Sequence, residues 1–502
     1  VTDPATGAYT VTLLDNVLHA GGPNDENAID PTTSLTYTIT DADNSSATGT
    51  LTITFDDDGP SVTIAAASTV KVALDETATS SGVATIDTGA IVKGNDPDVS
   101  GSGYISTATS VGALVTVNAL FGADGAAASG STVYALTVTN ANSGLTLTDG
   151  SAISLQLVNG AVVGVVSGGT FNGQAAFAIS INATTGAVTV EQYLSLDHPA
   201  EATAGNGFNS YDETLALANG SLGVTVTVKD GDNDTATSNT ADVSSQITFD
   251  DDGPSVTIAA ASTVKVALDE TATSSGVATI DTGAIVKGND PDVSGSGYIS
   301  TATSVGALVT VNALFGADGA AASGSTVYAL TVTNANSGLT LTDGSAISLQ
   351  LVNGAVVGVV SGGTFNGQAA FAISINATTG AVTVEQYLSL DHPAEATAGN
   401  GFNSYDETLA LANGSLGVTV TVKDGDNDTA SSNTADVSSQ ITFDDDGPSV
   451  TIAAASTVKV ALDETATSSG VATIDTGAIV KGNDPDVSGS GYISTATASE
   501  RW

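Results

Sequence analysis

The residues best placed to do chemistry in this chain are its carboxylates, and their spacing suits a metal ion. Asp230-Gly231-Asp232-Asn233-Asp234 sets three aspartates at every second position, directly after the alternating stretch 223–228. In an extended strand such residues share one face about 7 Å apart, which suits no single ion. Gly231 and Asn233 instead favour a turn, and a turn gathers alternate carboxylates around a hard cation, as the first ligands of an EF-hand loop do. Calcium fits best, because it accepts about six to eight oxygens in irregular geometry, whereas magnesium demands a tight octahedron. The plainer alternative is a solvated acidic turn.

A second cluster is Asp56-Asp57-Asp58-Gly59-Pro60. Three adjacent like charges repel, so an unpaired run favours disorder. Here Gly-Pro punctuates the run, and proline fixes the entry of the following strand. A bound cation would convert this acidic hinge into a rigid joint; the alternative is a charged linker that keeps its neighbours soluble. Asp75-Glu76 is a third candidate. If the stretches 61–66 and 69–74 fold back on each other, Asp75 returns near Asp58 and completes its ligand set. Asp96-Pro97-Asp98 and Asp124 are weaker, and exposed loop positions are expected for them.

These residues recur. The segment Phe55-Asp56-Asp57-Asp58-Gly59-Pro60 returns at Phe249 and Phe443, at intervals of 249 − 55 = 443 − 249 = 194 residues. Residues 55–248 and 249–442 differ only where Thr237 becomes Ser431. The candidates therefore repeat as Asp250, Asp251 and Asp252; Asp269 and Glu270; Asp424, Asp426 and Asp428; and Asp444, Asp445 and Asp446. Residues 443–497 open a further copy, and 498–502 form a non-repeat tail. Residues 1–54 read as the C-terminal half of a diverged preceding repeat. Gly7 precedes His19 by the same 12 residues that separate Gly186 from His198, and Asp41-Ala42-Asp43-Asn44 parallels Asp230-Gly231-Asp232-Asn233. Ser45 stands there in place of the third turn aspartate, which weakens that site. The two halves of a 194-residue unit do not resemble each other, so one domain per unit is expected.

What positions the carboxylates is β-structure. Alternation runs through 61–66, 69–74, 133–139, 145–148 and 153–157, and Asn159-Gly160 marks a tight type I′ hairpin between 154–158 and 162–166. Asn182-Ala183-Thr184-Thr185-Gly186 joins 176–181 to 187–190, and 215–217, 224–228 and 243–249 complete about nine or ten strands. No segment sustains a 3.6-residue period. Residues are 41% hydrophobic and only 13% charged, so the chain buries cores and is not an acidic disordered tail. The unit reads as an all-β antiparallel sandwich of Ig-like or cadherin-like type, repeated in tandem as an extended rod.

The formal net charge of −45 excludes nucleic acid and anionic lipid as partners and favours cations. Cysteine is absent, so rigidity must come from another source, and metal is the commonest substitute. No run approaches the ~20 apolar residues of a membrane span, and residues 1–20 lack a signal-peptide pattern, so any targeting signal is expected outside this stretch.

Three ordered stretches, Leu74-Asp75-Glu76-Thr77, Leu120-Phe121-Gly122-Ala123-Asp124 and Val133-Tyr134-Ala135-Leu136, resemble the extender repeats of giant type I-secreted bacterial adhesins of the repeats-in-toxin (RTX) class. So do Asp197-His198-Pro199, the segment 226–236 and the acidic Gly-Pro linker. That resemblance implies extracellular β-sandwich domains with calcium in the interdomain linkers, projecting a distal ligand-binding domain from a bacterial surface in adhesion and biofilm formation. It implies ligand roles for Asp56–Asp58, Asp230, Asp232 and Asp234 and their counterparts 194 residues on. The glycine-rich nonapeptide calcium roll of that class is absent from this chain.

Enzyme constellations fail. The chain has no Gly-x-Ser-x-Gly elbow, dinucleotide fingerprint or P-loop, and aromatics make up only 5% of residues, too few for a sugar-binding catalytic cleft. His198 beside Asp197 is expected to be structural, since neighbours on a strand face opposite ways. The chief rival is a calcium-dependent carbohydrate-binding module, with Phe208 and Tyr211 in the loop 198–212 stacking on a glycan. Otherwise the expected partners are neighbouring repeats of the same chain.

Overall fold

The computed structural model describes residues 1–3, 6–19, 32–200, 213–394, 407–448, 452–453 and 460–497. It is all-β. The chain divides into a larger unit, Val1–Pro393 with Thr408–Asp444, and a smaller one, Ala394–Glu407 with Asp445–Trp502.

In the larger unit the N-terminal half-repeat contributes one antiparallel hairpin, β1 (Thr32–Thr40) with β2 (Ser46–Thr54). The first complete repeat then runs β3 (Ser61–Ala66), β4 (Val72–Asp75), β5 (Ser106–Ala113), β6 (Val115–Leu120), β7 (Thr132–Val138), β8 (Asn142–Thr146), β9 (Ala152–Val158) and β10 (Ala161–Ser167). It continues with β11 (Ala175–Ile181), β12 (Ala187–Gln192), β13 (Leu215–Ala216), β14 (Leu222–Lys229), β15 (Thr235–Thr237), β16 (Ala241–Asp242) and β17 (Ile247–Asp250). The second complete repeat has the same strands 194 residues on, Ser255–Ala260 to Ile441–Asp444.

One layer is an antiparallel sheet of order β5-β12-β11-β10-β9-β8. Facing it, β14 pairs with β7, β15 and β16, while β3 pairs with β6. The alternation of β14 decides its orientation: Leu222, Val224, Val226 and Val228 enter the core, and Thr225, Thr227 and Lys229 face outward. A single hydrophobic cluster reaches from Val72 to Phe249 and joins both layers. The strand β10 is buried on both faces. Val162 and Val166 enter that main core, whereas Val163 and Val165 join a second cluster with Ile86, Ala178 and Tyr193. The cover on this outer face is the irregular segment 77–105, fastened where Glu191 accepts hydrogen bonds from the Thr85 amide (2.7 Å) and the Tyr193 hydroxyl (2.8 Å).

Strand prediction erred in two places. Strands β5, β6, β15 and β16 were not expected. The stretch 243–249 is broken by a 3-10 turn at Ser244–Gln246 before β17 begins. The Phe249 ring packs 5.2 Å from Phe177, inside the core of the first repeat. The Asn159-Gly160 hairpin forms as expected, with positive φ at both residues (50° and 84°).

In the smaller unit the described residues 460–497 form no strand, although Ser468 N still donates to Ser488 O (2.9 Å) and Ser469 N to Tyr492 O (2.9 Å). In the first complete repeat the corresponding strands β3 and β4 pair with β6 and β17.

Candidate metal centre at the repeat joint

The chain leaves the first repeat through β17, which lies parallel to β4 with Phe249 opposite Leu74 and Asp250 opposite Asp75. This pairing brings Glu76 to the linker, where its amide donates to Asp250 O (3.0 Å). Glu76 Oε1 is held by the side-chain amide of Gln192 and by the Leu196 amide (3.0 Å). Its Oε2 has no partner. Asp251 and Asp252 follow as the chain steps off the sheet, and Gly253-Pro254 leads into the next strand at Ser255.

Two segments of the second repeat close on that linker. The loop Phe315-Gly316-Ala317-Asp318 donates the Ala317 amide to Asp252 Oδ1 (2.9 Å). Gly316 is needed there: its φ is +72°, and a Cβ would lie 2.6 Å from the Asp252 carbonyl oxygen. The turn Asp424–Asp428 curls with Asn427 at φ 88°, and the Asp428 amide donates to Asp424 Oδ1 (2.8 Å). Apolar contact completes the seam, with Val99 and Ile105 of the first repeat clustered on Ala317 of the second.

Glu76, Asp251, Asp252, Asp318, Asp424, Asp426 and Asp428 are therefore buried together, none more than 6% exposed. Oxygens of Glu76, Asp251, Asp252 and Asp318 lie within 4.8 Å of one another. Both side-chain oxygens of Asp251 and of Asp318 lack a hydrogen-bond partner. Among the described residues no lysine or arginine pairs with these four. Like charges about 4 Å apart repel by about 4 kcal/mol at an effective dielectric of 20, and burial adds a desolvation cost. Burial first, then the charges of Asp426, Asp428 and Asp252, pushes Asp251 up to about 8. Burial, then the Asp75 and Asp426 charges, outweighs the Ala317 hydrogen bond and lifts Asp252 to about 7. Burial also drives Glu76 and Asp318 well above the carboxylate range. The donor set is all oxygen apart from His198, closely spaced and short of positive charge, so it fits a hard divalent cation.

The first repeat offers an internal comparison. Its N-terminal end carries the same groups: Asp57 is buried, Asp58 accepts from the Ala123 amide (3.2 Å), and Asp57, Asp58 and Asp124 cluster. There it meets only the half-repeat, and Gly122 and Ala123 stay exposed, whereas Gly316 and Ala317 are buried. Asp230 rises to about 7, from burial and its neighbour Asp232, while the equivalent Asp424 rises to about 10.

Against the sequence reading, Asp230, Asp232 and Asp234 do gather in a turn and are buried. They do not form a site apart from the linker, since Asp232 clusters with Asp57 and His19. Asp75 does not return to Asp58. The stretches 61–66 and 69–74 do not pair; β3 pairs with β6 and β4 with β17, so Asp75 and Glu76 serve the following linker, 250–252. Asp56 is exposed and Asp250 half-buried at its strand end. At the third linker Asp269 pairs with Asp444, which accepts from Thr408 Oγ1 (2.6 Å), and the Glu270 amide donates to Asp444 O (3.1 Å). Asp445 and Asp446 belong to the smaller unit and are half-buried. In the half-repeat turn, Asp41 and Asp43 are exposed and accept from the Ser45 amide (3.0 and 3.1 Å).

Asp124 and its equivalent Asp318 were expected on exposed loops. Asp318 is instead at the centre of the joint, and Asp96 is buried, accepting from Ser195 Oγ (3.1 Å). The signal was present in Phe-Gly-Ala-Asp, where a glycine precedes the acid by two residues. His198, expected to be structural, sets its ring nitrogens 3.3 Å from Leu196 O and 3.4 Å from Phe249 O, with Nδ1 3.6 Å from Asp251 Oδ1. Phe208 and Tyr211 lie outside the described residues. No helix is long and apolar enough to cross a membrane among the residues described.

Two stretches of the chain, residues 71–244 and 265–438, match one family model, described as a domain of unknown function (DUF5801). No curated protein and no solved structure matches the chain.

Proposed function

The chain belongs to the DUF5801 family, and we propose that it is an extender region of a bacterial cell-surface adhesin, stiffened by calcium at the joints between its repeats. Its task is length and direction: a series of sandwiches holds a distal ligand-binding domain away from the cell, in adhesion and biofilm formation, outside the cell and without catalysis. The observation that carries this reading is the position of the acidic cluster. Its ligands come from two successive repeats and from the linker, so an ion there ties one repeat to the next. Glu76 would serve from the first repeat, Asp251 and Asp252 from the linker, and Asp318, Asp424, Asp426 and Asp428 from the second. Calcium supplies the positive charge these buried carboxylates lack. The near-identity of the two complete units suits a mechanical series, in which each member does the same work.

Small-angle scattering of the whole chain with calcium and with chelator tests this. Removal of calcium should shorten the maximum dimension and lower thermal stability. Substituting Asn for Asp250, Asp251 and Asp252 together should loosen the central joint even with calcium present, while each sandwich stays folded. Unchanged dimensions and stability on chelation would sink the proposal.

A further inference from the structure

We propose that the joint offers a histidine–carboxylate metal site, built from Glu76, His198 and Asp251, where a borderline transition-metal dication, with zinc as the best fit, competes with calcium for the two carboxylates. One ligand atom from each of these buried residues lies within 4.8 Å of the other two. Around a tetrahedral ion with ligand bonds of about 2.0–2.1 Å, neighbouring donors sit about 3.3 Å apart. His198 Nδ1 is 3.6 Å from Asp251 Oδ1, close to that spacing.

The diverged half-repeat builds the same histidine–aspartate pair, with Asp232 as the third member in place of a glutamate. His19 Nδ1 faces Asp57 Oδ1 at 3.3 Å, as His198 faces Asp251. On its other edge, His19 Nε2 lies 3.1 Å from Phe55 O, and His198 Nε2 lies 3.4 Å from Phe249 O. A neutral imidazole that donates Nε2–H to a carbonyl presents a lone pair at Nδ1. In His19 that nitrogen is buried and faces the Asp57 carboxylate at 3.3 Å with no hydrogen bond made to it. His198 Nδ1 also lies 3.3 Å from Leu196 O, another acceptor. A metal ion would bind the Nδ1 lone pair and the facing carboxylate at one centre. A carbonyl on the far ring nitrogen is the common outer support of a metal-bound histidine. The remaining ligands are ready, since Glu76 Oε2 and both Asp251 side-chain oxygens lack partners.

The donor set decides the class of ion. Calcium takes oxygens, whereas imidazole nitrogen with carboxylates suits zinc and its first-row neighbours. This site goes beyond the calcium reading by adding the imidazole; it shares Glu76 and Asp251 with that reading and makes no use of Asp252, Asp318 or the turn 424–428.

The test titrates the calcium-free whole chain with cobalt(II), whose visible ligand-field bands report a low-coordinate nitrogen–oxygen site, then displaces it with zinc. Saturable bands are expected. His198→Gln should remove one site's share of the absorption and weaken binding there at least about 10-fold. A measurement on the unsubstituted chain guards against misfolding of the variant: in long-range proton–nitrogen spectra, zinc should shift the histidine Nδ1 resonances and leave Nε2 protonated. Absence of saturable cobalt binding, cobalt bound equally well by His198→Gln, or unshifted Nδ1 resonances would each overturn the proposal. Scattering with and without calcium is read independently, so this site and the stiffening role fail in different experiments.

Discussion

The acidic joint predicts an unusual pH dependence for the calcium-free protein. Asp251 moves from the ordinary aspartate value near 4 in the unfolded chain to about 8 in the joint, with burial the first cause. Asp252 moves in the same direction, to about 7. A raised carboxylate means the folded state binds more protons than the unfolded state between these values, so stability must fall as pH rises. Below about pH 4 both states are protonated and the joint suffers no penalty; the penalty is complete once pH passes about 8. Each tenfold rise in proton affinity is worth about 1.4 kcal/mol, so Asp251 alone corresponds to about 5 kcal/mol. Its neighbours titrate with it, so one net proton for the cluster is the prudent count. Between pH 5.5 and 7.5 that amounts to about 3 kcal/mol, or a melting temperature lower by about 6–12 °C for a repeat of this size. Calcium reverses the sign, because protons then compete with the ion and stability should rise over the same range. The assay is thermal unfolding across pH, with calcium and in its absence, for the parent chain and Asp251→Asn. The variant should flatten the calcium-free slope by about one proton. A calcium-free melting temperature that is flat or rises with pH would refute the reasoning, as would a variant with an unchanged slope.

Three further outcomes follow from particular contacts. Gly316→Ala places a methyl against the Asp252 carbonyl at positive φ, so it should cost about 1–3 kcal/mol and lower calcium affinity, read by calorimetry. Gln192→Leu removes the side-chain donor to Glu76 Oε1 and should weaken calcium binding about 10-fold, while strand β12 stays paired, as amide exchange would report. Phe249→Ala opens a cavity beside Phe177 and should destabilise the first repeat by about 3–5 kcal/mol in denaturant unfolding; the second repeat, whose Phe443 packs on Phe371, should be unaffected.

The legible part of this protein was its local chemistry. Alternation located most strands, because a half-buried strand must alternate; Leu222–Lys229 is a clear case. Asn159-Gly160 announced its hairpin, since both residues tolerate positive φ. The Asp-x-Asp-x-Asp turn announced a carboxylate cluster. What stayed hidden was long-range pairing. Nothing local tells that β4 lies parallel to β17, yet that register decides which linker Asp75 and Glu76 serve. Strand β5, Ser-Thr-Ala-Thr-Ser-Val-Gly-Ala, has too few large apolar residues to declare itself. The double burial of β10 depends on the irregular cover over its outer face, which has no periodicity to read. Asp318 looked like one loop acid among many, because its burial is conferred by the neighbouring repeat and not by its own.

The start of the first repeat and the start of the second carry the same glycine, alanine and aspartate, yet Gly122 and Ala123 are exposed where Gly316 and Ala317 are buried. The hydrogen bond that grips the linker is present in both places, from Ala123 to Asp58 and from Ala317 to Asp252. Each repeat thus folds with half a site in place: a linker aspartate gripped by a loop amide and a turn of three carboxylates. The other half, Glu76 with the Gln192 amide behind it, waits at the opposite end of the preceding repeat. Brought together, the two halves crowd carboxylates that cannot stay apposed and fully ionised without a cation. A cation is therefore the natural price of apposition. Repeats built this way should fold independently of calcium, and the joint between them should tighten when a dication binds.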